Sequence, residues 1–261
     1  MPQPTENYRV IPFPAARKVI VDAGRMGARR PLIHGLLELD VTVSRAFMRE
    51  YKARTGERLS FTGYIVKCLA QAIQADPSVQ ALRDWRNRLV IFEDVDVVTM
   101  IETEVGGVAL THVIRGADHK SFRQIHEEIR SVQARPRSSA QSGGLVKLAQ
   151  RLPGFVRRGY YWALRQNPHR FRQIAGTTIV TSVGMFGNGS GWGFGFLPLH
   201  NLGLTVGGIA EKPGVVDGRI EIREYLDLTV SFDHDIVDGA PAARFAQRLK
   251  LLIESGEVLR S

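Results

Sequence analysis

Residues 230–245 read VSFDHDIVDGAPAARF. Upstream, Leu226, Leu228, Val230 and Phe232 alternate with polar residues, the period of a half-buried strand. Downstream, a helical pattern runs toward the C-terminus, with Ala243, Phe245, Leu249 and Ile253 as its inward stripe. His234 therefore stands where a strand gives way to a turn and a helix. If the strand persists that far, His234 shares a face with Phe232 and Asp233 takes the other. An imidazole with a pKa near ~6.5 in such a place suits general-base chemistry at neutral pH. Asp238 and Gly239 fall at the helix entrance, where a carboxylate caps the helix or holds a cation from elsewhere. The plainer reading is a solvated histidine between two acids. No metal site is read here: His234 and Asp238 have a helical spacing, but the segment is strand and turn, and no third ligand is near.

Working outward, LLELDVT reads as a strand, and a helix follows it. Thr42 or Ser44 is the candidate cap, Val43, Phe47 and Tyr51 share a face, and Gly56 ends the helix. A second helix places Ile65, Leu69, Ala72 and Ile73 on one side and stops before Pro77. LVIFEDVDVVTMIET and GVALTHVI read as strands joined at EVGG. A third helix, capped by Ser121 or Asp118, buries Phe122, Ile125, Ile129 and Val132. TTIVTSVG and LGLTVGGI bring the strands back. The pattern implies an α+β fold, a mixed sheet flanked by helices.

The chain has 261 residues, ordinary globular composition and a net charge of +9. A lone cysteine, Cys68, lies on the apolar side of a helix and reads as core; it excludes an intramolecular disulfide framework and fits a cytoplasmic setting. No secretory signal and no apolar run of membrane-spanning length is found. The charge is lopsided. No Asp or Glu occurs from Ile129 to Ala210, while Arg135, Arg137, Lys147, Arg151, Arg157, Arg158, Arg165, Arg170 and Arg172 all fall there. A serine-hydrolase elbow and a phosphate-binding loop are absent, and GNGSGWGFG lacks the dinucleotide-binding spacing.

SFDHDIVDGAPAARF resembles the terminal motif of the catalytic domain of dihydrolipoamide acyltransferases, D-H-R-x-x-D-G-A-x-A-A-R-F. Its H-x-x-x-D-G core is shared by the wider superfamily of chloramphenicol acetyltransferase and peptide-synthetase condensation domains. GVALTHVIRGADHKSFRQIHEEI is similar to the family's G-L-V-V-P-V-I-x-x-A-D-x-K-S, and TTIVTSVGMFG to its T-x-[ST]-[SN]-x-G strand. The opening segments ARKVIVDAGRMGARRPLIHGLLELD and LSFTGYIVKCLAQAIQADPSVQA also resemble it, all in family order. The resemblance implies a chloramphenicol-acetyltransferase-like fold and transfer of an acyl group between a thioester, coenzyme A foremost, and an acceptor that remains open. It implies His234 as general base and Thr181 as the hydroxyl donor to the oxyanion, with Ser182 the neighbour if the register slips. Asp238 would be chiefly structural, paired with an N-terminal arginine at Arg17; His34 would be structural, and His200 has no counterpart and would pack. The family's site lies between subunits, so a homotrimer is expected, or a cubic 24-mer of eight trimers. No bound cofactor or metal is expected, coenzyme A being a substrate.

Three departures from the family stand out. Asp235 replaces the arginine after the histidine, which should raise the imidazole pKa and change the charge at the entrance. A single catalytic domain, 1–261, is expected, with neither lipoyl nor peripheral-subunit-binding domain. A basic, aromatic segment at about 133–175 stands where the family has a short loop; it reads either as a solvated face packed on the domain by its apolar stripe or as a contact for an anionic membrane surface or an acidic carrier domain, and nucleic acid is disfavoured because no nucleic-acid motif accompanies it. The competing reading of the whole chain is a non-catalytic trimeric scaffold that recruits such a surface.

Overall fold

The structure is a computed structural model; it describes residues 8–28, 30–101, 110–134, 152–183, 189–195 and 197–260. The EVGG turn, Gly184 and most of the basic linker lie outside the described residues. Helix α1 (Ala15–Gly27) leads into strand β1 (Leu32–Asp40), α2 (Thr42–Thr55) and α3 (Phe61–Ala75). A short hairpin, β2 (Leu82–Arg83) and β3 (Leu89–Val90), precedes β4 (Val97–Ile101) and β5 (Leu110–Ile114). After α4 (Phe122–Ala134) come the short helices α5 (Gly154–Arg165) and α6 (Pro168–Ala175), then β6 (Thr178–Ser182). Two long strands, β7 (Leu202–Val216) and β8 (Arg219–Asp233), and helix α7 (Gly239–Ser255) complete the order.

The six-stranded sheet runs β1-β8-β7-β6-β4-β5. β6 lies parallel to β4 and β7, and the other pairings are antiparallel, as a mixed sheet requires. β7 and β8 meet at Asp217-Gly218, both at positive φ, the conformation a two-residue hairpin demands. One face of the sheet, with Val180, Leu204, Leu228, Val230 and Phe232, packs on α3 and α7 in the main core. Phe232 meets Phe245 edge to face at 5.7 Å.

Local chemistry explains where the helices begin. Ser60 accepts from Gly63 N at 3.1 Å and caps α3. Ser121, rather than Asp118, opens α4: its hydroxyl accepts from Gln124 N and its own N–H donates to Gln124 Oε1. Asp118 instead accepts from Val95 N. At α2 neither Thr42 nor Ser44 is the cap residue; Asp40 Oδ1 takes the Thr42 N–H and hydroxyl, and Gly56, at φ +76°, ends the helix. The stripe of α7 is Ala242, Phe245, Ala246, Leu249 and Ile253; Ala243 faces outward, which corrects the sequence reading by one residue. Cys68 is buried, and burial pushes its thiol pKa up, so the sulfur is core packing.

Candidate active site

The sheet carries β8 as far as Asp233, and the chain then turns. Asp233 O accepts from both Ile236 N and Val237 N at 3.0 Å, so strand alternation stops one residue short of His234. Asp233 is 2 % exposed. Its Oδ2 accepts a fork from Arg30, 2.9 Å from Nε and 2.6 Å from an Nη, and its Oδ1 accepts from Asp235 N. The same guanidinium donates to Asn201 Oδ1, and Asn201 Nδ2 donates to Ala81 O at 2.7 Å. His234 N donates to Pro31 O at 2.8 Å. Asp233 and the His234 N–H are therefore fixed to Arg30 and Pro31 just before β1, and Asp235 N is tied back to Asp233, while the ring itself is exposed. Its Nδ1 lies 3.8 Å from Asp238 Oδ1, beyond hydrogen-bond reach.

Asp238 stands at the N-cap of α7 without a side-chain capping bond, and its side chain is 84 % exposed. Gly239 opens the helix with free space around it. The expected Arg17–Asp238 pair is not formed within the chain: among the described residues Asp238 has no arginine partner, and Arg17 lies exposed on α1. The arginine that braces the loop is Arg30, and its partner is Asp233. Topology gives the reason. β1 pairs antiparallel with β8, so Leu32 sits opposite Asp233, and the residues just before β1 meet those just after β8.

Thr181 lies on the other face of the sheet from the main core. Among the described residues its hydroxyl reaches only the Met100 sulfur, at 3.6 Å, and leaves room for a stronger acceptor. Ser182, half-buried, follows it opposite Val206. The register runs Thr181–Thr205–Thr229 across β6, β7 and β8. His234 stands five residues beyond Thr229. At ~3.3 Å per residue and ~4.8 Å per strand, the two groups are roughly 19 Å apart in one chain. A single chain cannot place both on one reacting carbon.

A feature absent from the sequence reading covers β7 on this face and leaves the Thr181 hydroxyl open beside it. Gly189, Gly191, Gly193 and Gly195 alternate along GNGSGWGFG, so the segment has an edge without side chains and lies directly on the sheet. A Cβ at Gly195 would overlap the Thr205 hydroxyl, and one at Gly208 would overlap Gly189 O. Asp227 anchors this strap by accepting from Ser190 Oγ at 2.7 Å and from Gly191 N at 2.5 Å. Phe194 meets His34 edge to face at 5.4 Å, and His34 Nδ1 lies 2.8 Å from Ser231 Oγ, a structural setting. Glycine at period two was the available signal.

Among the described residues of the basic segment, Arg157, Arg158 and Arg172 are paired with acids. Arg157 is 8 % exposed and forms a fork with Asp22 of α1, which Arg158 also contacts at 3.1 Å. Arg172 bonds Asp94 and Asp96 at 2.8 Å each and lies over the Phe92 ring. Leu164 and Phe171 join Leu82 and Phe92 in a second, smaller core. His200 is buried against Phe171 and donates from Nε2 to Ala175 O at 2.6 Å; burial lowers its pKa to about 4, so it packs as a neutral ring. Among the described residues, Asp94, Asp118 and His119 form the one cluster with metal-like geometry, and Asp94 is held by Arg172.

Comparison with known proteins agrees with this architecture. The family model of the 2-oxoacid dehydrogenases acyltransferase (catalytic domain) matches residues 5–147 and 156–260. Its one internal break, 148–155, is narrower than the 133–175 segment. The lipoamide acyltransferase component of the branched-chain alpha-keto acid dehydrogenase complex of Bacillus subtilis is 27% identical over 97% of this chain and 54% of its own length. The chain thus spans about half the length of the curated relatives it matches. Among solved structures, one described as a "probable dihydrolipoamide acetyltransferase" from Listeria monocytogenes aligns with a TM-score of 0.72 at 23% identity, covering 95% of each chain. The cubic core of a pyruvate dehydrogenase multienzyme complex gives 0.71 at 22%, covering 99% of this chain and 98% of that one. A chloramphenicol acetyltransferase gives 0.53 at 14%, with 94% and 99% covered. The fold is thus the chloramphenicol-acetyltransferase-like α+β fold, and the chain belongs to the family of 2-oxoacid dehydrogenase acyltransferase catalytic domains.

Proposed function

We propose that this domain transfers an acyl group between two thiols, coenzyme A and a dihydrolipoyl-type acceptor, at a site shared by neighbouring copies of the chain. The observation that carries the reading is the separation of its two reactive groups. His234 is exposed on a loop braced from both sides, and the Thr181 hydroxyl lacks a strong partner, yet roughly 19 Å divides them within one chain. A rotation that brings the His234 loop of one copy onto the Thr181 face of the next joins the halves. Closed threefold symmetry does this with one kind of interface. The fold shared with a cubic core supports a trimer or a 24-mer built from trimers.

In that site neutral His234 takes the proton from the acceptor thiol, and the thiolate attacks the thioester carbonyl carbon. The carbonyl oxygen becomes an oxyanion, and Thr181 Oγ donates a hydrogen bond to it. The tetrahedral intermediate then expels the donor thiolate, which takes the proton back from the imidazolium. The test is His234→Ala, assayed with acetyl-coenzyme A and dihydrolipoamide. A loss of at least ~10²-fold in kcat with the assembly unchanged is expected. Wild-type turnover in that variant would remove the mechanism.

A further inference from the structure

Beside the His234 loop lies a cavity of about 220 Å³, walled by the β2–β3 hairpin, the C-terminal end of α5 and the loop itself. Its lining includes Arg83, Arg165, Asn87, Gln166, Asp233 and Asp235. The carboxylates in this wall are unequal. Asp233 is held by Arg30, and Asp84, at the hairpin turn, is taken up by Arg88 and by the N–H groups of Arg86 and Arg88. Asp235 is exposed. The two arginines differ from those around them. Among the described residues neither Arg83 nor Arg165 has a carboxylate within ion-pair distance, whereas Arg30, Arg88, Arg157, Arg158 and Arg172 all do. Arg165 is half-buried; burial and then the like charge of Arg30 lower its pKa below the ordinary arginine value, against a weaker opposing attraction from Asp233 and Asp235 beyond ion-pair distance. Taking a guanidinium partly out of water without a partner is unfavourable, and an arriving anion relieves that penalty.

We propose that this cavity is a binding site for a small oxyanion, a phosphate or carboxylate group, with the half-buried Arg165 as the inner contact and Arg83 closing the outer side. The planar guanidinium fits either group through paired N–H donors. The hairpin is tied to α5 by Trp85 N donating to Gln166 O at 3.3 Å, so both arginines belong to one wall. The imidazole of His234 does not line the cavity, but its two neighbours do, which places the anion next to the loop that carries the base. The site stands independently of the acyl-transfer chemistry.

Isothermal titration of the whole chain with inorganic phosphate and, separately, with succinate tests this. Saturable binding of at least one probe, one per chain, is expected, weakened at least tenfold in Arg165→Gln and unchanged in Arg170→Gln. A preference for phosphate identifies a phosphoryl-bearing ligand; a preference for succinate identifies a carboxylate-bearing one. In anion-free buffer Arg165→Gln should also melt no lower than the wild type, because no ion pair is lost. Failure of both probes to bind, or equal binding by Arg165→Gln, overturns the proposal. So does dissociation of the assembly by Arg165→Gln without probe binding, which would assign the cavity to a neighbouring copy's carboxylate.

Discussion

The His234 loop and the α5–α6 pair are fastened by the same device. Each has a buried aspartate gripped by an arginine distant in sequence: Arg30 holds Asp233, and Arg157 holds Asp22. In the first case the anchor leaves an imidazole exposed on a rigid turn. In the second it draws basic residues away from solvent and glues α5 to α1. The same interaction thus presents a histidine ring in one region and hides charge in the other.

Removing one carboxylate from each region sharpens that contrast and carries the largest expected effect. Asp22→Ala and Asp233→Ala each leave a buried guanidinium without its partner, at a cost of about 3–5 kcal/mol in unfolding free energy. Chemical denaturation at fixed protein concentration measures both. Only Asp233→Ala should also depress kcat in the folded fraction, because only that anchor positions His234. The double replacement Asp22→Leu with Arg157→Met should recover most of the lost stability. Equal kcat values for Asp22→Ala and Asp233→Ala would break the distinction between the two regions.

The next effect concerns the seam where the second core meets the sheet. His200 is buried and neutral with a folded pKa of about 4, against about 6.5 when unfolded. Its folded pKa is depressed, so the unfolded chain binds the proton first as pH falls. The neutral ring's contribution is fully present above pH ~6.5, is lost between there and pH ~4, and is level below. The window amounts to roughly 3 kcal/mol. His200→Gln should remove this component, seen as the difference between wild-type and variant denaturation midpoints across pH 4–7. A constant difference would mean that the ring titrates alike in the folded and unfolded chain and is not held neutral by burial.

The two regions also differ in how much of them could be read. The strand–turn–helix around His234 was legible because its information is local: β8 alternates, Gly239 opens a helix, and the apolar spacing of α7 follows. Even so, the stripe slipped from Ala242 to Ala243, since neighbouring alanines carry little pattern. Arg30 was missed in favour of Arg17 because the pairing of β1 with β8 spans nearly the whole chain, and only that pairing selects the arginine. The arginines of α5 and α6 were read as a surface charge because their acids, Asp22, Asp94 and Asp96, lie far away in sequence. Net charge in a segment says nothing about where its counterions come from.

The smallest effect tests the membrane reading. A basic residue near an anionic bilayer contributes about 1 kcal/mol, provided its charge is free to approach. Within α5 and α6, Arg157, Arg158 and Arg172 are already paired and Arg165 faces the cavity, which leaves Arg170 exposed and without an ion pair among the described residues. Phe155, Tyr160 and Trp162 remain exposed on α5. Sedimentation with anionic vesicles at low salt should therefore fall about fivefold in Arg170→Gln and by less in Arg158→Gln, whose guanidinium is drawn toward Asp22. An equal loss in both variants would show that the Asp22 cluster opens at a surface. The helix pair would then be a membrane contact, and its resemblance to the His234 anchor would end at the level of the ion pair.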